Sequence, residues 1–150
     1  MRNALASSVL AALLAPALAL SGCSQTLVLV HDEQHPAGGR FIVNATIEEW
    51  PQGYYSAVIT IRNVSTRPIA LEPGMFRLEG TAPTAFVPAG RMPLFFGRAG
   101  YRMPDRVDGR STVQGEIFYS IRGTKVPSGP VRLVVALPDG EHAFAFELVQ

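Results

Sequence analysis

Residues 54–63, Tyr54-Tyr55-Ser56-Ala57-Val58-Ile59-Thr60-Ile61-Arg62-Asn63, decide the fold class. Tyr55, Ala57, Ile59 and Ile61 fall on every second position. Successive side chains of a strand point to opposite faces, so this period of two predicts a half-buried strand. Just upstream, Phe41, Val43, Ala45 and Ile47 alternate with Ile42, Asn44 and Thr46 in the same way. Downstream, Asn63-Val64-Ser65-Thr66-Arg67-Pro68 reads as a turn, Ile69 to Leu71 as a short strand, and Glu72-Pro73-Gly74 as a second turn. Met75 to Leu78 is short and mixed, and Val113 to Ile121 forms a further strand after Asp108-Gly109-Arg110. Val131 to Leu137 and Phe144 to Val149 flank Pro138-Asp139-Gly140, a hairpin signal. No helical stripe occurs outside the first segment. The expectation is an all-β, antiparallel sandwich or barrel.

Composition agrees. The chain has 150 residues, 47% of them hydrophobic and 17% charged, which excludes a disordered acidic or basic chain. Its 14 Gly and 12 Pro favour short strands and many turns. One cysteine excludes a disulfide framework and a multi-cysteine zinc site. A formal charge of +1 supplies no field for nucleic acid, so none is expected as a partner.

Residues 1–22 read as a secretory signal peptide. Arg2 provides the positive start, and Ala4 to Leu20 is an uncharged run broken by Pro16, short for a membrane span of about 20 apolar residues. The run ends in Leu20-Ser21-Gly22-Cys23, which resembles the lipobox of bacterial lipoproteins. That resemblance implies cleavage before Cys23 and acylation of its thiol, and the only cysteine of the chain stands where both signals need it. Ser24, a residue other than aspartate, is compatible by the same likeness with export to an outer membrane. The implied organisation is a signal peptide over 1–22, a lipidated tether over 23–25 and a β-sandwich over 26–150. Thr26-Leu27-Val28-Leu29-Val30 reads equally as a first strand or an apolar tail. The 128 residues after position 22 carry 12 basic and 12 acidic side chains and are long enough to bury a core without staples.

A second resemblance rests on Val58 to Asn63, Pro68-Ile69-Ala70-Leu71, Met75-Phe76-Arg77-Leu78 and Gly115-Glu116-Ile117-Phe118. These stretches are similar to small immunoglobulin-like domains of bacterial surface proteins. The likeness implies an immunoglobulin-like sandwich and carries over no functional residue.

Chemistry is sparse. There is no Gly-x-Ser-x-Gly elbow, Glu48 and Glu49 would point to opposite faces of a strand, and Gly38-Gly39 lacks the lysine of a phosphate loop. The expectation is a protein that is not an enzyme and holds no cofactor. His31-Asp32-Glu33-Gln34-His35 is the richest ligand cluster, and His31 and His35 would hold zinc or copper if the segment curled into a helical turn. Pro36 and Gly38-Gly39 make a solvated loop the plainer reading. Residues 91–110 concentrate Arg91, Arg98, Arg102, Arg106 and Arg110 against Asp105 and Asp108, interleaved with Leu94, Phe95, Phe96 and Tyr101. Arginine with aromatics on a loop is the composition of binding hot spots, which makes Arg98, Tyr101, Arg102 and Arg106 candidate partner contacts. The plainer reading is that Phe95 and Phe96 plug the edge of the sandwich while the arginines are simply solvated. The expected function is a non-catalytic binding or structural module of the cell envelope. A lipid anchor would hold it on the periplasmic face of the outer membrane, beside an envelope protein or other envelope component. The alternative is a metal-handling envelope lipoprotein using copper or zinc.

Overall fold

The computed structural model describes residues 25–50, 54–80, 86–88, 100–121 and 130–148. Residues 1–22, expected to be a signal peptide, lie outside them, as do Cys23 and Arg98. The described chain is all-β and antiparallel. Its strands are β1 (Gln25–Gln34), β2 (Phe41–Trp50), β3 (Tyr54–Asn63), β4 (Ile69–Ala70), β5 (Phe76–Gly80), β6 (Phe86–Pro88), β7 (Arg106–Val107), β8 (Thr112–Ile121), β9 (Val131–Leu137) and β10 (Gly140–Leu148). A single 3-10 turn, Pro73–Met75, precedes β5.

Hydrogen bonding runs through eight strands in the order β5-β9-β10-β1-β2-β3-β8-β6, and β4 and β7 form a separate ribbon. The two terminal strands, β5 and β6, approach each other, so the sheet folds over its own core in a sandwich-like arrangement. Strand β1 is the corner. It pairs with β10 from Leu27 to Gln34 but with β2 only from Gln25 to Leu27, and its register with β10 shifts between Val30 and Glu33. Such a shift bends a strand and lets it leave one half of a sheet for the other. TLVLV is therefore a strand. The segment His31–Gln34 continues it, which corrects the expectation of a solvated loop and removes the helical turn that would have stacked His31 on His35. Four steps along an extended strand cover about 13 Å instead of one helical turn.

The core follows the period of two. Tyr55, Ala57, Ile59 and Ile61 of β3 are buried, as are Phe41, Val43 and Ile47 of β2. They meet Phe76 and Leu78 of β5, Leu133 and Val135 of β9, and Phe144 and Phe146 of β10 in one cluster. The hairpin between β9 and β10 turns at Pro138 and Asp139. Gly140 then takes φ +135°, a conformation closed to ordinary side chains, and a Cβ there would lie 2.9 Å from the Pro36 ring.

Candidate functional site

Two places gather chemistry. The first is the segment that begins at Gly100, after the arginine-aromatic residues 91–99. Gly100–Arg102 lies along the edge of β8: the Phe118 amide donates to the Gly100 carbonyl at 2.8 Å and the Arg102 amide to the Glu116 carbonyl at 2.9 Å. Tyr101 bridges to Ile117, whose side chain is fully buried, and so shares its inward face. From there the chain alternates. Met103 and Val107 are buried, while Arg102, Asp105, Arg106 and Asp108 are exposed.

This alternation sorts the candidate contacts. Tyr101 faces Phe76 across 6.1 Å and its partly buried ring packs on the core at the sheet edge. Its hydroxyl is buried and has no hydrogen-bond partner among the described residues, and the same holds for Tyr119. Burial pushes the Tyr101 phenol above its ordinary value, with the charges of Asp105 and Glu72 adding to it. Burial does the same to Tyr119, and to Tyr55 with help from Glu49. Arg106 is exposed but bound through both Nε and Nη2 to Asp108 Oδ1. Arg102 is exposed and has no ion pair among the described residues. It borders an open depression of about 370 Å³ with Val58, Gln114, Gly115 and Glu116. The Glu116 carboxylate of that lining accepts from the buried Ser56 Oγ at 2.7 Å, so it is already held.

The second place is the end of β1 against the β9–β10 hairpin. His35 and His142 stand opposite each other because the register continues one step past the Gln34–Ala143 pair. Their Nδ1 atoms are 3.0 Å apart and their ring centres 5.3 Å apart. The difference of 2.3 Å is what two ring radii add when the nitrogens point straight at each other. That is hydrogen-bond geometry, in which one Nδ1–H donates and the other Nδ1 accepts. Carboxylates sit at both outer nitrogens. Asp139 Oδ1 is 3.3 Å from His142 Nε2, and Glu33 Oε2 is 3.4 Å from His35 Nε2. Asp139 Oδ2 also accepts the Phe41 amide at 3.1 Å, which ties β2 to the same turn. With Nε2–H of His142 donating to Asp139, its Nδ1 accepts from His35. His142 is 1% exposed, whereas the His35 side chain is 39% exposed.

Sequence reasoning paired His35 with His31, four residues away. The structure pairs it with His142, 107 residues away. The only trace of this in the sequence is that both imidazoles flank turn residues, Pro36 and Pro138-Asp139-Gly140. Among the described residues no three His, Cys, Asp or Glu side chains converge as metal ligands. The chain matches no known family model, no curated protein and no solved structure.

Proposed function

We propose that the chain is a cell-envelope lipoprotein, anchored through acylated Cys23, whose immunoglobulin-like β-sandwich serves as a non-catalytic binding or structural module. The observation that carries the reading is positional. The only cysteine ends Leu20-Ser21-Gly22-Cys23 and stands two residues ahead of Gln25, where β1 begins. An acyl anchor there would have almost no tether, so the domain would rest against the bilayer. Each buried CH₂ contributes about 0.8 kcal/mol, so two or three chains hold it firmly where one would be marginal.

Register supports an orientation for the domain on such an anchor. Gln25 pairs with Glu49, so the anchored end of the domain is the one bearing the Trp50 end of β2 and the Tyr54 end of β3. The opposite end, with the His35–His142 pair and the loops around Asn63, points away from the membrane. The immunoglobulin-like likeness draws on stretches that lie in β3, β4, β5 and β8. The periplasmic face of the outer membrane is the proposed location, with Ser24 as its support.

Labelled palmitate tests the reading. It should enter the wild-type protein and be absent from Cys23→Ala, which should also leave the membrane fraction. Equal labelling of the two proteins would reject the anchor.

A further inference from the structure

We infer that the outer face of β2, β3 and β8, at the end away from Cys23, is a docking surface for an acidic polypeptide segment. The choice of end rests on the anchor reading above, whereas the surface itself is read from the described residues alone.

Register builds a grid there. Ile42 of β2 stands opposite Arg62 of β3, and Arg62 stands opposite Thr112 of β8. One step further along, the Val64 amide donates to the Arg40 carbonyl at 2.9 Å, and the Arg110 amide donates to the Ser65 carbonyl at 2.8 Å. The two rows therefore read Ile42-Arg62-Thr112 and Arg40-Val64, with Arg110 at the turn beside Ser65, one residue past Val64. All six side chains are exposed. Their alternating neighbours Phe41, Val43, Ile61 and Asn63 are buried, which assigns Ile42 and Arg62 to the outer face. In each row an arginine stands directly opposite an apolar side chain, Arg62 opposite Ile42 and Arg40 opposite Val64.

Two independent features mark this grid. Ile42 at 49% and Val64 at 45% are the exposed large hydrophobic residues among the described ones, and both fall inside it. Arg40, Arg62 and Arg110 carry no ion pair among the described residues, whereas Arg77, Arg106 and Arg132 are each engaged by a carboxylate. The frame beneath is closely fitted. The Asn63 side chain donates to the Arg67 carbonyl at 2.7 Å and accepts the Ser65 amide at 3.0 Å. A Cβ on Gly109 would collide with the Thr66 backbone, and Arg110 takes the left-handed φ of 57°.

Guanidinium forks in this spacing suit carboxylates, which they bind through paired N–H donors. Isoleucine and valine between them call for an apolar side chain flanked by those carboxylates. A phosphate-bearing bilayer is the poorer fit, because the chain's own anchor would lie at the far end of β2. From Ile42 to Glu49 is seven strand steps, about 24 Å. The same face continues past Gln114 to the depression beside Arg102, which gives a longer acidic segment further room.

The test uses the full chain in intact cells, with a photo-crosslinking residue at position 42 or 64 and a control at exposed Glu147. Protein adducts should form at 42 and 64 and not at 147, and the captured peptides should be rich in Asp and Glu. Arg40→Glu, Arg62→Glu and Arg110→Glu together should cut the yield at least tenfold. Adducts with lipid alone, captured peptides without acidic residues, an unchanged yield after charge reversal, or no adduct would each overturn the proposal. Should the triple variant unfold, Arg62→Gln and Val64→Ser carry the same comparison from exposed positions. Palmitate labelling in the same cells scores Cys23 separately, so loss of the adduct with the label intact counts against this surface and not against the anchor.

Discussion

The Nδ1 atoms of His35 and His142 face each other at 3.0 Å, one ring half-exposed and the other fully buried, with a carboxylate behind each. Two facing nitrogens share one proton.

Burial makes the two rings unequal in stability. His142→Ala should destabilise the domain by about 2–4 kcal/mol, because it empties a buried site and strips Asp139 of a donor. His35→Ala should cost about 1 kcal/mol or less, since water can reach its place. Denaturant melts of both variants check the ranking, and equal losses would contradict it.

The hydroxyls of Tyr101 and Tyr119 are buried without partners among the described residues. A desolvated, unpaired hydroxyl costs about 1–3 kcal/mol, so removing it while keeping the ring should help. Tyr119→Phe is expected to stabilise the domain by about 1 kcal/mol, and Tyr101→Phe by a smaller amount because that residue is only half-buried. A destabilised Tyr119→Phe would mean that its hydroxyl is bonded in solution.

The same tyrosines set an alkaline limit. Burial raises the phenols of Tyr55, Tyr101 and Tyr119 above their ordinary value in the folded state. A raised folded value means the stabilisation is complete below the unfolded value near 10 and is lost as pH climbs from there toward the folded one. Tm should therefore fall with rising pH above about 10, and Tyr119→Phe should flatten that fall. An unchanged slope in the variant would assign the loss to other groups.

Gly115 of β8 lies against the segment that carries Arg102. An added Cβ would sit 2.7 Å from Met103 Cα and 2.8 Å from the Arg102 carbonyl, both backbone atoms that cannot turn aside. Gly115→Ala should cost about 1–3 kcal/mol by forcing residues 101–103 off the edge of β8. Gly74→Ala, where nothing lies within 4 Å, should stay within about 0.5 kcal/mol of wild type. Thermal melts of the pair separate crowding from a general intolerance of alanine.

Much of this architecture could be read along the chain. The inward set Tyr55, Ala57, Ile59 and Ile61 and the turn at Pro138-Asp139-Gly140 are where the alternation and turn chemistry put them. The candidate contacts fared differently from one another. Tyr101 alternates with Arg102, so one segment supplies both a core plug and an exposed cation, a division that composition alone does not resolve. Arg106 was legible as a surface charge, but its capture by Asp108 depends on the short β7 strand turning both outward.

Sequence alone determined the period of two, the strands it predicts and the one cysteine beside a lipobox-like run, because these are properties of neighbouring residues. Tertiary structure decided which strands became neighbours. It placed β1 between β10 and β2, which brought His35 to His142, and it laid β2, β3 and β8 side by side, which interleaved Arg40, Arg62 and Arg110 with Ile42 and Val64. The physical reason is that strand alternation is set by the backbone of a few residues. Strand order and register are chosen by burial of a common core, a contest between partners far apart in the chain.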